Sequence, residues 1–167
     1  MSEVQFRIET ATERDVALIL KFIKGLAEYE RLEHEVVATE EGLRATLFGA
    51  RPGAEVLIGY AGSEAAGFAL FFHNYSTFLG RLGIYIEDIF VLPEWRGRGL
   101  GQQLLIRIAG LAVERGCGRL EWSVLDWNEP AIRFYRRHGA RAMDEWTVYR
   151  VSGEALKELA SEDSAAK

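Results

Sequence analysis

Three glycines at alternate positions, Gly97, Gly99 and Gly101, stand between an apolar run and a long amphipathic one. No other feature narrows the possible folds as much. The run before them, Glu87-Asp88-Ile89-Phe90-Val91-Leu92-Pro93, has the composition of a strand. After them, residues 99–115 carry Leu100, Leu104, Leu105, Ile108, Leu111 and Ala112 at helical spacing, up to Gly116. A strand, a tight turn and a helix form a unit of α/β architecture. Glycine admits positive φ and lets a ligand reach the bare main chain. The N–H groups that open a helix, helped by its dipole, make an anion cradle. Arg96 and Arg98 add positive charge, so a diphosphate suits the turn. It is neither a Walker loop nor the Gly-x-Gly-x-x-Gly dinucleotide fingerprint, since the spacing is Gly97-x-Gly99-x-Gly101.

The rest of the chain supplies the sheet. Residues 4–9 alternate as a strand. Thr12 caps a helix bearing Val16, Ile19, Leu20, Ile23 and Leu26, and Thr39 opens a second with Leu43 and Leu47. Strands are expected over 55–61 and 65–75, joined at Gly62-Ser63-Glu64, then a loop over 76–83 and a strand over 84–92. Beyond the long helix come a strand at 119–125, a helix capped by Asn128 with Pro130 early inside it, and a last strand at 142–151. A short helix is expected over 153–160. The pattern indicates one mixed α/β sheet flanked by helices, with residues 1–160 as a single domain and 161–167 as a disordered tail.

Charge and composition exclude several functions. Among 167 residues, 20 Lys and Arg oppose 25 Asp and Glu, with no polybasic block, which argues against nucleic-acid binding. No stretch is long and apolar enough for a membrane helix. A lone Cys117 makes neither an internal disulfide nor a zinc site, and His34, His73 and His138 lack metal-ligand spacing, so no metal is expected. A reduced, cytoplasmic location follows. The charge is also divided. Residues 94–141 hold nine arginines against five acids, while the remainder holds eleven bases against twenty acids.

Arg96-x-x-Gly99-x-Gly101 at a helix start resembles the acyl-CoA signature of the GNAT (GCN5-related N-acetyltransferase) superfamily. Four further segments resemble its diamine branch, the spermidine/spermine and thialysine N-acetyltransferases. They are Leu26-Ala27-Glu28-Tyr29-Glu30, Tyr85-Ile86-Glu87-Asp88-Ile89-Phe90-Val91, Trp127-Asn128-Glu129-Pro130 and Phe134-Tyr135-Arg136-Arg137-His138-Gly139-Ala140.

The resemblance implies a mostly antiparallel central sheet and acetyl-CoA as co-substrate, without a metal. It implies that the strand Ile89-Phe90-Val91 holds the pantetheine arm. Arg96, Gly97, Arg98, Gly99, Leu100, Gly101 and Gln102 would bind the pyrophosphate, and Asn128, Pro130 and Ala131 would contact the cofactor's other end. A plain helix cap is an equal reading for Asn128. Tyr135 matches the tyrosine that protonates the departing thiolate, and a phenol of pKa about 10 can protonate a thiolate of about 8–9. Glu87 matches the residue that draws off the amine proton. As strand neighbours, Glu87 and Asp88 are expected on opposite faces. The resemblance also makes Tyr29, Glu30, Glu87 and Asp88 substrate contacts, within an acidic run of six Glu over residues 28–41 that is otherwise a solvated surface. Asp144 or Glu145 could add another.

The implied function is acetyl transfer to a primary amine of a small cation, whether polyamine, thialysine or lysine-like, by direct attack in a ternary complex. Protein lysine or N-terminal acetylation and a non-catalytic acyl-CoA sensor are the alternatives. A homodimer is implied by resemblance.

Overall fold

The computed structural model describes residues 5–165. The chain divides between Ser123 and Val124 into two compact units.

The first unit is built on one five-stranded sheet in the order β1 (Phe6–Thr10), β2 (Glu55–Ala61), β3 (Glu64–Ser76), β4 (Arg81–Val91), β5 (Leu120–Trp122). The first four strands pair antiparallel, and β5 runs parallel to β4. Helices α1 (Val16–Glu30) and α2 (Glu40–Phe48) precede β2, and α3 (Leu100–Glu114) joins β4 to β5.

Local chemistry explains the helix starts. The Thr12 N–H donates to Asp15 Oδ2 at 2.7 Å, closing a short 3-10 turn that leads into α1. The Thr39 hydroxyl accepts the Gly42 N–H at 3.1 Å and caps α2. The apolar stripe of α1 buries Val16, Ile19 and Phe22, with Phe22 stacked on Phe68 at 5.3 Å. On the other side, α3 buries Leu100, Leu104, Leu105 and Ile108. The sheet thus has an α1 face and an α3 face. At Gly67 a β-carbon would lie 2.5 Å from the Phe90 carbonyl oxygen, so close strand packing requires glycine there.

Where a loop was expected over 76–83, the ladder continues through Tyr75↔Leu82 and Ser76↔Arg81, leaving a tight turn with Gly80 at φ 62°. The strand expected over 119–125 keeps only Leu120–Trp122.

In the second unit, Asn128 Oδ1 accepts the Ala131 N–H at 3.4 Å and caps α4 (Glu129–Arg137). The short helix expected over 153–160 is longer: α5 runs Gly153–Ala165, with Lys157 paired to Glu154 at 3.0 Å. Of the expected disordered tail, residues 166–167 lie outside the described ones. Residues 142–151 form no strand, and Trp146 is 73% and Val148 80% exposed. Alternation marks a face, but a strand also needs partners for its N–H and C=O groups. Among the described residues of the second unit there is no other strand to supply them. No helix among the described residues is long and apolar enough to cross a membrane.

Candidate active site

The register between β3 and β4 slips once. Leu70 lies opposite Asp88, and Phe71 opposite Ile86, so Glu87 is the extra residue of a β-bulge. Residues opposite one another in an antiparallel pair share a face. Phe90, opposite Phe68, contacts Phe22 on the α1 face, and Asp88, opposite Leu70, lies on that face too. Ile86, opposite Phe71, lies on the α3 face. The bulge thus reverses the alternation of β4, and Tyr85, opposite Phe72, shares the α1 face with Asp88. The expectation of strict opposite faces for Glu87 and Asp88 does not allow for this bulge.

Asp88 is the most perturbed acid of the site. Burial, then the charges of Glu87 and Glu30, push its carboxyl up to about 7. Glu30 ends α1, and burial raises its pKa as well. It stands at the negative end of the helix dipole, where an anion is disfavoured and a cation is welcome. α1 stops there because Arg31 takes a left-handed conformation, φ 62°, and the Leu32 N–H closes back on Ala27 O at 2.8 Å. Glu30, Glu87 and Asp88 therefore form one anionic cluster.

Beyond the bulge, one edge of β4 is open. The parallel ladder with β5 ends at Ile86↔Trp122, and among the described residues no strand pairs with that edge from Glu87 to Val91. The Leu92 N–H donates to Ala66 O at 2.9 Å, which fixes the phase of the β3–β4 ladder. Phe90 and Leu92 turn their backbone groups to β3, so Ile89 and Val91 turn theirs to the open edge. Phe90 is different: its ring is buried in the core and its backbone faces β3.

The turn that follows has the geometry of an anion cradle. Gly97 and Gly99 have φ of 72° and 93°, and a β-carbon at either would meet nothing within 4 Å. The first N–H to bond back into α3 is that of Gln103, to Gly99 O at 3.0 Å. Those of Leu100, Gly101 and Gln102 precede it and have no intrahelical acceptor. Open space over a glycine turn, unclaimed N–H groups and an adjacent free strand edge fit a diphosphate that continues into an extended amide-bearing arm. The two arginines are placed differently from a simple phosphate clamp. Arg96 donates from Nε to Val91 O at 2.9 Å, and its guanidinium lies over the rings of Tyr29 (4.6 Å) and Phe90 (5.5 Å). Arg98 lies over Trp95 at 5.0 Å.

In the second unit, Tyr135 is half-buried on α4, its ring 5.2 Å from that of Phe134. Asn128 is buried at the start of that helix, beside Pro130 and Ala131. Asp144 and Glu145 are exposed.

Residues 23–140, which reach from within α1 to just past the end of α4, match the model of the Acetyltransferase (GNAT) family. The chain belongs to the GNAT family. Its relatives include a thialysine N-epsilon-acetyltransferase of Mus musculus, 39% identical over 92% of this chain and 96% of that protein. An L-ornithine N5-acetyltransferase of Arabidopsis thaliana is 37% identical over 92% of this chain and 87% of its own. Among solved structures, an integron cassette protein from the mobile metagenome of V. cholerae superposes with a TM-score of 0.78 at 27% identity, covering 93% of this chain and 97% of that one. The resemblance read from the glycine turn and the four segments is borne out, as is the mixed sheet flanked by helices. This GNAT chain is an acetyl-CoA-dependent N-acetyltransferase.

Sequence reasoning missed the bulge at Glu87 and the place of Arg96 over Tyr29. Neither has a local signal, because both depend on residues far apart in the chain.

Proposed function

We propose that this acetyltransferase transfers an acetyl group to the side-chain amine of a small lysine-like amino acid. The observation that carries the reading is the anionic cluster Glu30–Glu87–Asp88 next to the open edge of β4. Relatives named for thialysine and ornithine support the same class of amine.

Acetyl-CoA supplies the acetyl group as an activated thioester. Gly97, Gly99, Leu100, Gly101 and Gln102 hold its diphosphate through main-chain N–H groups. Ile89 and Val91 hold the arm along the strand edge and offer N–H groups to the thioester carbonyl oxygen. Glu30 and Asp88 attract the alkylammonium, and Tyr29 walls its approach. An amine must lose a proton before its nitrogen can attack. Glu87, through water, and Asp88 are the acceptors, and a carboxyl near neutrality suits that task better than an ordinary one. The new C–N bond forms as the C–S bond breaks, and the thiolate leaves with a proton from Tyr135. That last role rests on the Phe134-Tyr135-Arg136-Arg137-His138-Gly139-Ala140 motif. Asn128, Pro130 and Ala131 are assigned to the far end of the cofactor on the same ground. A homodimer and a cytoplasmic location belong to the reading by resemblance.

Thiol release from acetyl-CoA tests it across thialysine, ornithine, lysine, spermidine and a lysine peptide. Turnover of the free amino acids is expected. Turnover confined to the peptide, or tight CoA binding with no turnover on any amine, would replace the reading with a protein acetyltransferase or a sensor.

A further inference from the structure

A cavity of about 720 Å³ lies between the second half of α1 and the end of β4. Lys21, Lys24 and Glu28 line it from one face of α1, at helical spacing. Glu33 reaches it from the turn after α1, and Arg96 from the turn after β4, with Tyr29 and the buried Phe90 as apolar wall. Among the described residues no ion pair joins Lys21, Lys24, Glu28 or Glu33. Three cations and two carboxylates thus face one space, with no close ion pair among them in the described residues. A polyamine would bring only positive charge to a cavity that already has an excess of it. A zwitterion brings an anion for the cations and a cation for the carboxylates.

The spacing agrees with the charge. Phe90 and Asp88 share the α1 face of β4, two residues and therefore about 7 Å apart. An extended lysine-like chain spans about 6 Å from its α-carbon to its terminal nitrogen, from bonds of about 1.5 Å. A head group held at Arg96, whose guanidinium lies over the Phe90 ring, would direct that nitrogen toward Asp88.

We propose that this cavity holds the zwitterionic head of an amino-acid substrate, its carboxylate toward Lys21, Lys24 and Arg96 and its α-ammonium toward Glu28 and Glu33. The inference rests on the acetyltransferase reading above and sharpens it: the enzyme selects amino acids over diamines of the same length.

The test compares initial rates of the full-length enzyme on matched pairs at saturating acetyl-CoA. Thialysine is set against bis(aminoethyl) sulfide, its decarboxylated counterpart, and ornithine against putrescine. The expected result is a kcat/KM about tenfold or more higher for each amino acid. In the double variant Lys21→Glu/Lys24→Glu this ratio should fall toward one, with KM for the amino acid raised. The single variant Lys24→Gln should shift it the same way by less. A wild-type ratio near one, or a ratio unchanged in both variants, overturns the inference and leaves the acetyltransferase reading standing. Failure to acetylate either member of either pair overturns both.

Discussion

Ile86 and Asp88 are two residues apart on β4 yet lie on opposite faces of the sheet, because Glu87 between them is a bulge. In a regular strand they would share a face, and Asp88 would point toward α3. The bulge instead turns Asp88 toward α1, where burial first, and then the charges of Glu87 and Glu30, raise its pKa. One extra residue in a ladder thereby assembles the anionic side of the site.

The titration of Asp88 makes stability depend on pH. Its carboxyl is raised from 3.8 to about 7 in the folded chain, so between these values the folded state binds more protons than the unfolded one. Stability from this group is full below pH 3.8 and is lost as the pH rises through about 7. Asp88→Asn keeps a neutral side chain throughout. The variant should match wild type near pH 4 and be more stable by about 2–4 kcal/mol at pH 8, by chemical denaturation. Equal stabilities at pH 8 would mean that Asp88 is not a destabilised anion.

Glu30→Gln removes one charge that acts on Asp88. The amine KM should rise about tenfold, the affinity for acetyl-CoA should hold, and the apparent pKa of kcat/KM should fall. An unmoved pH profile would separate Glu30 from the cluster.

Gly99 opens α3 at φ 93°, a conformation that costs other residues about 1–2 kcal/mol. A β-carbon there would meet no protein atom within 4 Å, so Gly99→Ala reports backbone strain alone. Gly99→Asp adds a negative charge at the cradle. Calorimetry should show acetyl-CoA binding weakened more than tenfold in the Asp variant and much less in the Ala variant. Equal weakening in the two would show that charge at this turn is immaterial.

Tyr135→Phe keeps the ring against Phe134 and deletes only the hydroxyl. The turnover rate should drop about 100-fold, with acetyl-CoA affinity within about twofold of wild type. A rate within a factor of two of wild type would remove Tyr135 from proton transfer.

The elements governed by near neighbours were legible from the chain alone. Thr39 and Asn128 cap their helices as read, because a cap bonds two or three residues away. The glycine turn was legible for the same reason, since Gly97 and Gly99 answer a local need for positive φ. With the four further segments, it carried the family and the acetyl-CoA chemistry. The strand expected over 142–151 was read from alternation, which shows a face without supplying a partner.

What local sequence could not decide was whatever depends on pairing between distant segments. The face that Asp88 occupies is set by its register with Leu70, and the position of Arg96 by Tyr29 on α1. Which edge of β4 stays open depends on where its ladder with β5 stops. A one-residue slip in a ladder reverses every side chain beyond it, and no window of sequence confined to one strand contains that slip.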